Sequence, residues 1–345
     1  MPFRVDLQDG LFKLECKGEA VAQSRPMRAM LARRAAQLGA KVAIIEFDRL
    51  GGTCVNRGCI PKKLLYNAST VYSTRELFPS YKVMAKEDPD TIGFDWAAYK
   101  EKMDRYILRL NGIYEQNLNK DKIRTFLGRG EILGRETDGD DESPILIAID
   151  AQSQTDPHGG PPQQHNSPQQ EGRTQPSTTS TSEPPNRTII AAKRLCIATG
   201  SHPVVPPVEG AELGITSDDF FKMRKRPDKV VVVGAGYIAV ELATSLAHLG
   251  ASEIHLCTRG KRILKVFDEM ISQEAAETLR KTGIDVAYES SPQKIVQRAD
   301  GQLEVHLPNE RVKHLLALAC SPFSFSFSYG KAAVIQSHPI GIRFW

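Results

Sequence analysis

The sequence is short of most features that mark a specialised class of protein. Neither sign of charge dominates. There are 45 Lys and Arg against 41 Asp and Glu, a net charge of +4, and no basic block stands out, so nucleic-acid binding is not expected. No apolar run approaches the roughly 18 residues of a membrane helix, so no membrane contact is expected. Residues 1–6 (M-P-F-R-V-D) lack a basic stretch followed by an apolar one, so no secretory signal is read there. Cysteine is scarce, with six in 345 residues, too few for a disulfide scaffold. In a cytoplasmic protein, the location expected here, a close cysteine pair is metal-binding or redox-active. The remaining composition, 41% hydrophobic and 25% charged, is that of a globular protein long enough for two domains.

Residues 151–187 contain no Val, Leu, Ile, Met or aromatic side chain. They are dense in Gln, Pro, Ser, Thr and Gly and cannot bury enough apolar area to offset the entropy of ordering, so a disordered insert is expected. Strands are predicted on both sides, at 144–150 (P-I-L-I-A-I-D) and within 187–199 (R-T-I-I-A-A-K-R-L-C-I-A-T), which makes the insert a very long hairpin loop. Loop closure cost grows only logarithmically with length, so such a loop is tolerated.

Two strand–helix patterns argue for parallel sheets. In one, a helix over 28–38 ends at Gly39 and leads into a strand at 41–46. In the other, an apolar strand at 230–233 enters G-A-G-Y-I-A-V-E, a helix runs to His248, and a strand follows at 253–258. The fold class is thus α/β. Residues 96–119 carry apolar side chains at helical spacing, read as core packing. Residues 314–345, with the low-complexity run P-F-S-F-S-F-S-Y, are expected to form a tail outside the preceding domain.

The strongest chemical signal is G-G-T-C-V-N-R-G-C-I-P-K-K at 51–63. Cys54 and Cys59 could be two buried thiols. A zinc half-site is a second reading, although C-x-x-C spacing and a second ligand cluster are both missing; no metal is expected. The flanking glycines and proline favour a turn opening into a helix, where a thiol is a better nucleophile and a pair could cycle between dithiol and disulfide.

In the second motif, Gly234, Ala235, Gly236, Tyr237 and Ile238 follow an apolar strand and open a helix. This is the context in which a glycine loop cradles a pyrophosphate. After the next strand come Arg259 and Lys265 in a basic stretch, where a site for an unphosphorylated dinucleotide would prefer an acid. Basic residues suit a 2′-phosphate, so NADPH is expected. A solvated basic loop is the plainer reading.

The cysteine block resembles the redox helix of the flavin-dependent pyridine nucleotide–disulfide oxidoreductases, and its two lysines resemble the glutathione-reducing branch. The resemblance implies two Rossmann-like FAD/NAD(P)-binding domains of three layers. The FAD-binding domain would span 1–150 and 188–205, with 1–28 atypical, and the NADPH-binding domain 206–313. It implies FAD and NADPH as cofactors, glutathione disulfide as substrate and a role in cell redox homeostasis. Cys59 would face the flavin, Cys54 would attack the substrate disulfide, and Lys62 would pair with Glu241 beside the flavin. Glu46 resembles the glutamate that binds the FAD ribose. Gly52, Thr53, Gly130, Thr199 and Gly200 resemble cofactor contacts, Tyr237 the residue that gates the nicotinamide pocket, and Arg33 and Tyr114 the glutathione contacts.

The chain departs from the family pattern in three places. Residues 23–28 (Q-S-R-P-M-R) stand where a G-x-G-x-x-G loop is expected. The later FAD segment with its Gly-Asp pair, expected beyond 313, is not found. The dimerisation domain with its His–Glu pair has no counterpart in 314–345, so the family's homodimer is not expected of this chain and His338 is not read as catalytic. A shortened version of a longer enzyme is the resulting expectation. A related reductase of another small disulfide, or an inactive NADPH-binding module with an interaction role, are the alternatives.

Overall fold

The computed structural model describes residues 20–23, 26–78, 80–82, 92–137, 139–140, 142–151, 187–200, 203–308, 312–314, 316–319 and 333–335. The insert expected at 151–187 lies outside the described residues except for its two ends, as does His338. The chain divides into two compact units. One comprises 1–51, 113–199 and 331–345, and the other 52–112 and 200–330.

The first unit is built on a seven-stranded sheet. Its parallel part contains β1 (Ala20–Gln23), β2 (Val42–Glu46), the start of β3 (Arg124–Arg135) and, entering later in the chain, β6 (Arg194–Ile197). The helix α1 (Pro26–Gln37) connects β1 to β2. Beyond β3 the sheet continues antiparallel through β4 (Ile145–Ala151) and β5 (Arg187–Ala192). Asp150 pairs with Arg187, so the segment between β4 and β5 is the hairpin connection that the flanking strands predict.

All five residues of β2 are buried, and their alternation places two different layers against them. Val42 and Ile44 pack with Ala32 of α1 and with Leu118 and Ile123. Ala43 and Ile45 pack with Ile145, Ile147, Ile149 and Ile190 of the antiparallel hairpin. The strand β2 is therefore covered on both faces, giving three layers.

The second unit carries a five-stranded parallel sheet. Its members include β7 (Ile215–Thr216), β8 (Lys229–Val233), β9 (Glu253–Cys257) and β10 (Asp285–Ala287). A three-stranded antiparallel sheet of β11 (Lys294–Gln297), β12 (Leu303–His306) and β13 (Val312–His314) contributes Ile295, Leu303 and Val305 to a core with Val231 and Cys257. The short helix α5 (Ser217–Phe220) follows β7, and α6 (Tyr237–His248) packs on β8 and β9.

Residues 316–319 correct one expectation. They form β14 (Leu316–Ala319), which pairs in parallel with β8 on one side and β7 on the other. This segment is a member of the five-stranded sheet and not part of a tail outside the domain. Without it, β8 would present an open edge of unpaired backbone groups in the middle of the sheet. Residues 333–335 likewise pair as a strand, β15 (Ala333–Ile335), antiparallel to β6.

Both units share one strand order. The sheets read β3-β2-β1-β6 and β10-β9-β8-β14, in each case with the first strand of the motif central and the order reversing beside it. Nucleotides bind outside the carboxyl ends of strands at such a reversal.

The compact units also revise the expected domain limits, since 52–112 cluster with 200–330. Specific contacts hold them there. Arg57 pairs with Asp218 at 3.6 Å, and the Trp96 Nε1–H donates to Met223 O at 3.1 Å.

Candidate active site

The cysteine segment leaves β2 through Gly51 and Gly52, with φ of 102° and 59°. Two successive residues in the left-handed region are cheap only for glycine. Cys54 lies in α2 (Gly52–Asn56), and Cys59 opens α3 (Cys59–Ser73). Between them, a side chain at Gly58 would press on Thr53 O at 3.1 Å and on Cys54 Cα at 3.6 Å, so glycine permits the two short segments to meet.

Cys54 and Cys59 are both thiols and are hydrogen-bonded to each other, Cys54 half-buried and Cys59 exposed. Burial pushes Cys54 up from 9.0 to about 11, and the hydrogen bond and charge of Cys59 add to the rise. The Cys59 backbone N–H, which donates to Cys54, pulls the other way. The helix start was expected to favour thiolates; Cys54 instead sits before α3, in a partly dry position beside a second thiol, and is protonated at neutral pH.

Lys62 lies one turn into α3. Its Nζ donates to Glu241 Oε1 of α6 at 2.8 Å, as the resemblance implied. The thiol helix and the nucleotide-loop helix are thus tied by a charge-assisted bond within one compact unit.

Two partners of the cysteine segment were not singled out in the sequence. Asn56 Nδ2 donates to Gly52 O at 3.0 Å, and Asn111 Nδ2 donates to Asn56 Oδ1 at 2.9 Å. Asp218 pairs with Arg57; burial raises the Asp218 pKa while the guanidinium lowers it. The only hint in sequence was a polar Asn111 on the apolar stripe of residues 96–119.

The glycine loop follows β8 as predicted. The Gly234 N–H donates to Cys257 O at 2.9 Å, and the Leu264 N–H donates to Ala235 O at 2.7 Å. Gly236 caps α6 with φ −79° and no side-chain cap, leaving first-turn N–H groups available to an anion. A Cβ at Gly236 would meet no atom within 4 Å, so packing does not demand glycine there and space is left beside the backbone. Tyr237 is exposed and Ile238 half-buried. Beyond the end of β9, Arg259, Lys261 and Lys265 are exposed and make no ion pair among the described residues. Arg262 donates to Lys265 O at 2.9 Å, which folds the basic loop on itself. The residues present fit a nucleotide carrying an extra phosphate.

In the first unit, Glu46 ends β2 at 4% exposure and accepts the Asp48 N–H at 2.9 Å. A buried acid at this strand end fits a ribose. The β1–α1 connection fits a pyrophosphate poorly. It consists of residues 24 and 25, which lie outside the described residues and are serine and arginine, and Pro26 after them has no N–H to offer. Gly130 has a packing reason, because its Cβ would stand 3.2 Å from Ile45 Cδ1. Thr199 is exposed at the end of the first unit, and Gly200 begins the second with φ 87°. Arg33 Nε is engaged by Asp121 at 2.5 Å. Tyr114 is half-buried on α4 (Trp96–Lys120). Among the described residues, no helix is long and apolar enough to cross a membrane.

Two reversed parallel sheets, a glycine loop with a basic partner and a hydrogen-bonded thiol pair define a nucleotide-binding fold of the dithiol-carrying kind. The family model described as pyridine nucleotide-disulphide oxidoreductase matches residues 29–321, and the chain belongs to this family. It is similar to the glutathione reductase of Yarrowia lipolytica, at 37% identity over 274 residues, covering 79% of this chain and 51% of that protein. The glutathione reductase of Debaryomyces hansenii is 38% identical over 281 residues, covering 78% and 51%. That of Schizosaccharomyces pombe is 38% identical over 278 residues, covering 80% and 51%. The chain thus spans about half the length of the curated relatives it matches.

Proposed function

We propose that the protein is a disulfide reductase that uses NADPH and FAD to reduce glutathione disulfide through Cys54 and Cys59. The observation that carries this reading is the hydrogen-bonded thiol pair whose Cys59 opens α3, the helix tied by Lys62–Glu241 to the helix after the glycine loop. The similarity to glutathione reductases supports the choice of substrate.

The exchange itself needs only protein sulfurs and the substrate. Cys54, once deprotonated, attacks one sulfur of the disulfide. That S–S bond breaks, and the other half leaves as a thiolate. Cys59 then attacks Cys54 Sγ, releases the second thiol and closes the Cys54–Cys59 disulfide. Two electrons pass from the protein to the substrate. Because Cys54 is pushed up to about 11, a base must take its proton before attack at neutral pH.

Arg259 and Lys265 would hold the 2′-phosphate of NADPH, and the amides at the start of α6 its pyrophosphate. Glu46 would hold the ribose of FAD, which when bound supplies two-electron transfer between a nicotinamide and a disulfide. Arg33 and Tyr114 would contact glutathione. The cytoplasm, where thiols are kept reduced, completes the reading.

The glycine-free β1–α1 connection favours a second reading, an NADPH-binding module without turnover. NADPH consumption with glutathione disulfide, measured with and without added FAD, separates the two. Consumption that requires FAD and Cys54 supports the reductase. NADPH binding with no consumption under either condition supports the module.

A further inference from the structure

The turn that presents Cys54 has little to stabilise it locally. The helix α2 is five residues long, far below the length at which a helix stands alone. Asn56 Nδ2 closes it by donating to Gly52 O at 3.0 Å. That bond depends on which way the Asn56 amide faces. Asn111 settles the question from α4, 55 residues further on, by donating its own Nδ2 to Asn56 Oδ1 at 2.9 Å. With Oδ1 so occupied, the Asn56 NH₂ faces Gly52. Asn111 is 7% exposed, so water does not readily replace its amide. Gly52, the end of this relay, stands two residues before Cys54 with φ 59°.

We propose that Asn111 is a positioning residue for the dithiol, acting through Asn56 and the Gly52 carbonyl to hold the Cys54 turn against Cys59. It thereby sets how readily the pair closes into a disulfide. The proposal rests on the redox reading above. Closure forms the Cys54 Sγ–Cys59 Sγ bond and gives up two electrons and two protons, which oxidised dithiothreitol takes up as it becomes the dithiol. A disulfide tolerates only a narrow range of separation and torsion. A turn held in that range presents one thiol to the other at high effective concentration, and a loosened turn does not.

The test uses the full chain and the variants N111A, N56A and N111A/N56A. Each is equilibrated with mixtures of reduced and oxidised dithiothreitol, and the thiols of the Cys54–Cys59 peptide are counted by alkylation and mass. Each single variant should shift the equilibrium about tenfold toward the dithiol, the size expected for one lost hydrogen bond. The double variant should shift it no further than either single one, because both residues act in one relay. A merely structural role would lower the melting temperature of N111A and leave the equilibrium within twofold of the native chain, which would overturn the proposal. Additive shifts in the double variant would overturn it as well. N56A alters only a half-buried residue of α2 and keeps the test open if N111A does not fold; a native-like equilibrium in N56A is equally fatal. A native chain that never closes the disulfide overturns the redox reading together with this inference. A native chain that closes beside unchanged variants overturns this inference alone.

Discussion

Lys62 and Glu241 are 179 residues apart in sequence, yet their side chains meet at 2.8 Å. The pair joins α3, which begins with Cys59, to α6, which begins one residue after Gly236. Both side chains are about one-third exposed, so the pair contributes little to stability, about 0–1 kcal/mol. Glu241→Gln should therefore change the melting temperature by only about 1–3 °C while lowering NADPH-dependent turnover of the FAD-supplemented protein at least tenfold. Thermal unfolding beside a steady-state assay checks both halves, and unchanged turnover would remove Glu241 from the machinery.

The nucleotide choice is tested at the basic loop. If Arg259 and Lys265 hold the 2′-phosphate as proposed, replacing both by alanine should weaken NADPH binding by about two orders of magnitude and leave NADH within threefold, because only NADPH carries that phosphate. Calorimetric titration with both nucleotides decides it, and equal losses would show the loop to be a solvated surface.

Gly236 separates packing from binding. Its φ of −79° is open to any residue, and a Cβ there meets no atom within 4 Å. Gly236→Ala should leave stability unchanged or slightly higher and weaken NADPH at least tenfold, since the methyl group would occupy the space beside the loop. A destabilised variant with normal NADPH affinity would contradict the reading of that space.

Flavin content reports on the first unit. The connection at residues 24–25 offers no glycine cradle, so the chain should purify with well under one FAD per molecule, as read from the visible absorption of the folded protein. A fully yellow protein would show that backbone groups other than a glycine loop hold the pyrophosphate.

Cys54 gives a pH dependence. Its pKa is raised from 9.0 to about 11. Burial is the leading cause, with the Cys59 hydrogen bond second. Its alkylation rate in the reduced protein should rise about tenfold per pH unit from pH 7 to 10, since only the thiolate reacts. The associated stability is fully present below pH 9 and is lost as pH climbs through 11, because the unfolded chain releases this proton first. Cys59→Ser should move the Cys54 profile to lower pH by removing the neighbouring ionisable thiol. Peptide-resolved alkylation across pH measures it, and a profile already flat at pH 8 would refute the raised value.

By itself the sequence determined the local and the near-local. The apolar run 230–233 and the glycines after it made a strand and a tight turn into a helix whatever surrounded them, because period and backbone freedom are properties of neighbouring residues. The cysteine block was legible for the same reason, and its likeness to a known family supplied the partner Glu241. The poor apolar content of 151–187 likewise placed a connection between two paired strands. Other features were decided only by the tertiary structure. Residues 316–319 are apolar but stand beside a low-complexity run, and only the open edge of β8 gives them a place in the sheet. The grouping of 52–112 with 200–330 arose from the packing of α3 on α6 and from pairs such as Arg57–Asp218. Asn56 and Asn111 became a relay only when α4 was brought beside α2. A hydrogen bond acts over about 3 Å, and no periodicity in a chain records which distant side chain will arrive within that distance.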